Sequence, residues 1–188
     1  RPSAAGRGDR LVMDAMGELR EEYDHALIRD MLASGMDSIT ITLCDPKPEG
    51  AAALELALDS VLQHDRYLAG KPEFFVKATS VGDIDAARRA GKMAVFYLFQ
   101  NTVQFGKDLD RVDVFRRLGL SSCQLTYNTR NHAGVGCWEE GGLTPFDQRR
   151  ASEVFTEPHV GPGGDGVGAG DSAVGAFDVA QQELLVVV

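Results

Sequence analysis

With 188 residues, 44% of them hydrophobic and 25% charged, the chain has enough apolar side chain for one buried core and the composition of a soluble globular domain. A net charge of -9, with no Lys/Arg stripe, excludes a duplex nucleic-acid surface, which must neutralise a row of phosphates. No apolar run approaches the roughly 18 residues that cross a bilayer, and residues 1–10 are too polar for a signal-peptide core, so a soluble chain away from membranes, most simply cytoplasmic, is the expectation.

Residues 1–9 read as a disordered start. Residues 11–15 form a short apolar run suited to a strand, and 19–33 follow with Tyr23, Ala26, Leu27 and Met31 at helical spacing, closed by Gly35 as a C-cap. Residues 38–44 are β-branched and apolar. Pro46 and Pro48 then punctuate, and Ala51, Leu54, Leu58, Val61 and Leu62 mark a second helix. Residues 74–78 are a third strand, and Ser80 with Asp83 has the spacing of a capping box opening a helix that ends by Gly91. A fully apolar fourth strand spans 93–99. Leu109, Val112, Phe115 and Leu118 line one side of the next helix, and 120–127 supplies a fifth strand. Apolar strands alternating with amphipathic helices imply a parallel sheet covered on its faces.

The character changes near residue 151. Residues 144–155 have the pattern of a sixth helix, 158–170 are crowded with glycine and proline, and the apolar end 184–188 has no evident partner. The reading is therefore a folded unit over 10–155 and a Gly-rich tail, 156–188, outside the fold. Gly161, Gly163 and Gly166 match a dinucleotide fingerprint by letter, but no strand leads into them and Pro162 interrupts. The run Gly168-Ala-Gly-Asp171-Ser172 resembles the anion hole of ribokinase-type sugar kinases, without the large preceding domain such a kinase needs. Cys44, Cys123 and Cys137 form neither an even set nor a Cys-x-x-Cys pair, so they read as reduced. Two architectures fit the βα units: an open five-stranded doubly wound sheet of about this length, or part of a (β/α)8 barrel, which in full needs roughly 250 residues.

The stretch 91–102, then Asp108-Leu-Asp-Arg111, residues 115–120, Gln124-Leu-Thr-Tyr-Asn128 and Gly142-Leu-Thr-Pro-Phe146 resemble, in order and spacing, the central part of the membrane (renal) dipeptidase family. The resemblance extends over about residues 10–150 and favours the partial (β/α)8 barrel. It implies a two-metal, usually zinc, site that hydrolyses dipeptides or related small amides at the C-terminal ends of the strands. The family's Asp-x-His-x-Asp run, whose His and last Asp hold a metal, corresponds to Asp14-Ala-Met-Gly-Glu18, so Asp14 and Glu18 are the candidate metal-site residues and Met16 stands where imidazole belongs. Gln100 replaces the bridging Glu, and Tyr127 a substrate-facing His. Nothing after Phe155 resembles the two later strands that end in ligand histidines, and His159 lies among Pro158 and glycines; a shifted reading frame or wrong exon after about residue 150 is the expectation.

Gln100, Asn101, Tyr127, Asn128, Arg130 and Asn131 are the candidate substrate-binding residues, because they fall at predicted C-terminal strand ends. His132 lies beside them; His25 and His64, on helices, read as solvated. The expectations are zinc by resemblance but not held by this chain, a dipeptide-like ligand without turnover, and self-association through the open edges of strands one and five. A non-catalytic binding module is the alternative.

Overall fold

The computed structural model describes residues 10–141 and the backbone of Leu185–Val187. The predicted helix at 144–155, the glycine-rich run, the kinase-like and dinucleotide-like stretches and the unstructured start at 1–9 lie outside the described residues. The elements are β1 (Met13–Gly17), α1 (His25–Ala33), β2 (Ser38–Thr42), α2 (Gly50–Ala69), β3 (Phe75–Lys77), α3 (Val81–Arg89), β4 (Met93–Phe99), a 3-10 turn (Val103–Phe105), α4 (Asp110–Arg117), β5 (Leu120–Gln124) and β6 (Leu185–Val187).

β1, β2, β4 and β5 pair in chain order, all parallel. Because this order never reverses, the sheet has no switch point of the kind that defines a doubly wound fold, and it stays open rather than closing. The predicted third strand is not a rung of that series. β2 pairs directly with β4, and β3 lies beside Met93–Val95 on the edge of β4 that β5 takes further along, from Tyr97. The C-terminal residues, for which the sequence offers no partner, pair as β6 antiparallel to β5, Cys123 opposite Val186, so one of the two edges expected to be open is taken.

Side-chain alternation on β4 explains why the helices sort by face. Met93, Val95, Tyr97 and Phe99 join Ile39 and Ile41 of β2 in one apolar cluster with Ile28 of α1, Ala57, Val61 and Leu68 of α2, and Phe115 of α4. On the opposite face, among the described residues, α3 packs through Ile84 and Ala87 against Ala94 and Ala78. α1, α2 and α4 thus share one face of the sheet, the face a barrel wall turns outward, while α3 covers part of the other. α3 is held at the strand beginnings by Arg88, 3.3 Å from the fully buried carboxylate of Asp37, which also accepts the Val12 N–H at 3.0 Å. On the outer face, Lys77 donates to Asp65 and to the Leu118 carbonyl, both at 2.7 Å, and the Tyr97 hydroxyl donates to the same Asp65 oxygen at 2.8 Å. Burial, and then this carboxylate, push the Tyr97 phenol far above its ordinary range.

α1 is shorter than the periodicity predicts. Asp24 accepts the Leu27 N–H at 2.8 Å, which caps the helix there and leaves Leu19 to be buried from the preceding loop. The capping box of α3 is formed as expected: Asp83 accepts the N–H groups of Thr79 and Ser80 at 2.9 and 2.8 Å. These hydrogen bonds hold the Asp83 carboxyl below its usual value, so its contribution is present above the ordinary Asp range and is lost as pH falls through the folded value. Asp83→Ala is expected to reduce stability at pH 7 by about 1 kcal/mol, and the gap between variant and parent in urea unfolding should shrink once pH falls below about 4. A gap that stays constant down to pH 3 would show that Asp83 does not act as an ionised cap. No helix among the described residues is long and apolar enough to cross a membrane.

Candidate active site

The C-terminal ends of β1, β2 and β4 meet at a cleft of about 320 Å³ lined by Glu18, Leu19, Arg20, residues 42–46, His64 and Gln100. This is the end of the strands where barrel enzymes keep their chemistry. Gly17 shapes its rim: the β1–β2 register slips between Asp14 and Gly17, and a Cβ on Gly17 would stand 2.6 Å from both Asp14 Oδ2 and Ile39 Cδ1. In the space so kept, Asp14 accepts the Met16 N–H at 3.1 Å.

Met16 and Gln100, eighty-four residues apart in sequence, touch at this end, Gln100 Nε2 lying 3.7 Å from Met16 Sδ. Glu18 is paired with the guanidinium of Arg20 at 2.5 and 2.6 Å, which raises the Arg20 pKa still further. Besides Asp14, the side chains at the candidate metal positions are therefore a thioether, an amide and a carboxylate already engaged by a fixed cation. A site that activates water on zinc needs imidazole nitrogens and free carboxylates. The residues present do not fit such an ion, and no three His, Cys, Asp or Glu side chains converge among the described residues.

Behind the rim the cleft is polar. His64, read from sequence as solvated, is half-buried and lines it: from one turn back on α2 the Ser60 carbonyl accepts from Nδ1 at 2.8 Å. That bond places the neutral ring's proton on Nδ1 and leaves Nε2 as an acceptor. Ser60 in turn donates to the Leu43 carbonyl. Cys44 accepts from Gln104 Nε2 at 3.4 Å, but burial pushes its thiol up, so it stands as a protonated, poorly nucleophilic group. Cys44, Cys123 and Cys137 form no disulfide. Thr42, which ends β2, and Cys44 and Asp45, which follow it as Gln100 follows β4, escape the sequence reading; the signal is the strand end itself. For His64 the signal was weaker, a serine four residues earlier.

The other candidates separate from the cleft. Asn101 is buried and donates to the Pro46 carbonyl at 2.8 Å, so it ties the turn after β4 to the loop after β2. Tyr127, Asn128, Arg130 and Asn131 belong to the loop that follows β5. There the Tyr127 carbonyl accepts the Cys137 N–H at 2.9 Å, Arg130 pairs with Glu139 at 3.5 Å, and Asn131 accepts the Ala133 N–H at 2.7 Å while donating to Leu125 O at 2.8 Å. Gly136 lets the two limbs of this loop cross, since a Cβ there would lie 2.2 Å from the Asn128 carbonyl carbon. His25 is exposed with its ring edge against Phe74, and His132 is exposed outside the cleft.

The model of the family described as membrane dipeptidase (Peptidase family M19) matches residues 19–154. The chain belongs to the membrane dipeptidase family. Solved structures share the fold: an amidohydrolase from Pseudomonas aeruginosa superposes with a TM-score of 0.69 at 26% identity, over 81% of this chain and 45% of that one. A metallopeptidase named dipeptidase AC gives 0.62 at 18% identity, over 77% and 53%. A Rhodobacter sphaeroides metallopeptidase, solved with a phosphinate mimic of the dipeptide L-Ala-D-Ala, gives 0.62 at 16% identity, over 77% and 55%. No curated protein matches the sequence. The chain thus spans about half the length of these structures, and its unclosed parallel sheet is part of a (β/α)8 barrel.

Proposed function

We propose that this chain is a dipeptidase-family barrel segment that binds a small zwitterionic amide of the dipeptide class in the cleft without hydrolysing it. The observation that carries the reading is the contact of Met16 with Gln100 at the strand ends, where a thioether and an amide replace the groups that would hold a water-activating ion. Glu18 and Asp45 on one hand and Arg20 on the other give the cleft both signs of charge, which suits an ammonium and a carboxylate on one small molecule. Support for the ligand class comes from the family and from the dipeptide mimic held by the Rhodobacter sphaeroides relative.

The test is a panel of dipeptides incubated with the purified full chain, with and without added zinc, read by release of free amino acid. No rate above the buffer blank is expected, while calorimetry should register dipeptide binding that weakens on Arg20→Ala. A rate that chelator abolishes and zinc restores would overturn the non-catalytic reading; absence of binding would overturn the ligand class.

A further inference from the structure

The cleft is built on strands that pair directly with one another, β1 with β2 and β2 with β4, and its second wall carries an imidazole held in one orientation. Side chains on a helix lean toward its N-terminus, and on α2 that direction runs toward the strand ends, because α2 follows the loop after β2. His64 leans this way. Its Nδ1 donates to the Ser60 carbonyl at 2.8 Å, and Ser60 Oγ donates to the carbonyl of Leu43, just past the end of β2. The ring also meets the fully buried Tyr97 ring edge to face, with centroids 6.1 Å apart at 66°. Because Nδ1 is turned back on its own helix, the part of the ring left to line the cleft carries Nε2. In this tautomer Nε2 accepts a hydrogen bond and cannot donate one. Asp45 lines the same cleft, with Oδ1 accepting the Lys47 N–H at 3.0 Å and Oδ2 lying 4.0 Å from Lys47 Nζ. The wall made by α2 and the loop after β2 therefore offers acceptors, whereas the loop after β1 brings the Arg20 cation.

We propose that His64 is a specificity-determining residue of this cleft: its Nε2 accepts a hydrogen bond from the free amino-terminal ammonium of the ligand, beside the charge of Asp45, while Arg20 takes the carboxylate. The inference rests on the reading of the cleft as a site for a zwitterionic amide of the dipeptide class. It adds a selection that reading does not contain, for an unblocked amino terminus. An ammonium brings three N–H donors and a positive charge to a wall of acceptors, and a hydrogen bond with one charged partner is the stronger kind. An acylated nitrogen brings one N–H, no charge and an acyl group that must fit where the ammonium would sit. The imidazole needs no rearrangement to discriminate, since the Ser60 carbonyl fixes the tautomer before any ligand arrives.

Calorimetry of the full chain with L-alanyl-L-alanine and with its N-acetyl derivative tests this. The parent is expected to prefer the free dipeptide by at least about tenfold. His64→Ala should weaken binding of the free dipeptide by at least about tenfold and leave that of the acetylated one unchanged, and His64→Gln, whose amide oxygen reaches toward the place of Nε2, should keep part of the preference. Nitrogen-15 spectra of the parent at about pH 8, where an imidazole is ordinarily neutral, should show the His64 proton on Nδ1 and a shift of Nε2 on saturation with the free dipeptide. This arm needs no variant, so it decides the matter even if His64→Ala does not fold. Equal loss of both ligands in the variants would mark a structural role and overturn the proposal, as would a parent without preference, a proton on Nε2, or an Nε2 resonance that the bound dipeptide does not move. A parent that binds neither ligand would instead overturn the dipeptide-class reading, and this inference with it.

Discussion

Replacing Met16 by His and Gln100 by Glu together is expected to turn the strand-end cleft into a zinc site. Ligand atoms about 2.1 Å from a tetrahedral ion stand about 3.4 Å from one another, and the Met16 and Gln100 side-chain atoms are already 3.7 Å apart. The substituted side chains would start near ligand spacing, with Glu18 lining the same cleft as Gln100. Zinc affinity should rise by at least about a hundredfold over the parent, with each single change giving much less than its share because a chelate needs both donors. Since His must be neutral to bind, affinity should fall steeply below about pH 6.5. Competition against a chromophoric chelator measures this directly. A double variant that binds zinc no better than the parent would show that these two positions do not face a common point.

Phe115→Ala is expected to remove a large part of the stability of the fold. Phe115 is fully buried, with its ring 5.0 Å from that of Phe99 at 80° and 5.9 Å from that of Phe105. These three rings join α4, β4 and the 3-10 turn, so the loss is a cavity at the junction of all three rather than a trimmed surface. Such a truncation costs about 3–5 kcal/mol, against a total of about 5–15 kcal/mol for a typical domain. Guanidinium unfolding should show a much lower midpoint and near-UV circular dichroism a loosened aromatic environment; Phe115→Leu should retain most of both. A loss under about 1 kcal/mol for the alanine variant would mean that the junction collapses around the gap.

How far these features were legible from residues varies with how many physical signals coincide. β4 spans Met93–Phe99 as read, because a strand buried on both faces is apolar at every position and the signal has no gaps. The start of α3 was equally plain, since Ser80 and Asp83 specify it chemically. β5 ends at Gln124 rather than at Tyr127 for a reason no periodicity carries: the Leu125 carbonyl is taken by Thr102 Oγ1 at 3.1 Å and Asn131 Nδ2 at 2.8 Å, which draws the backbone out of the ladder. β1 begins two residues later than the apolar run, whose Leu11 and Val12 stay exposed. The family and the partial barrel are legible in separated motifs, and the same alignment of motifs singles out Met16 and Gln100. The cleft's second wall is not legible, because Cys44, Asp45 and His64 carry no spacing that marks them until β2 and α2 are folded beside β4.

The Lys77 cluster bears on how this half of a barrel acquires its order. Lys77 reaches Asp65 twelve residues behind it and the Leu118 carbonyl forty-one ahead, and Tyr97 reaches Asp65 across thirty-two. All three are short closures, and the entropy of closing a loop grows only with the logarithm of its length. A polar knot that needs nothing beyond residue 118 can tie as soon as that much chain has left the ribosome. The cluster therefore needs no segment synthesised later than residue 118 to form.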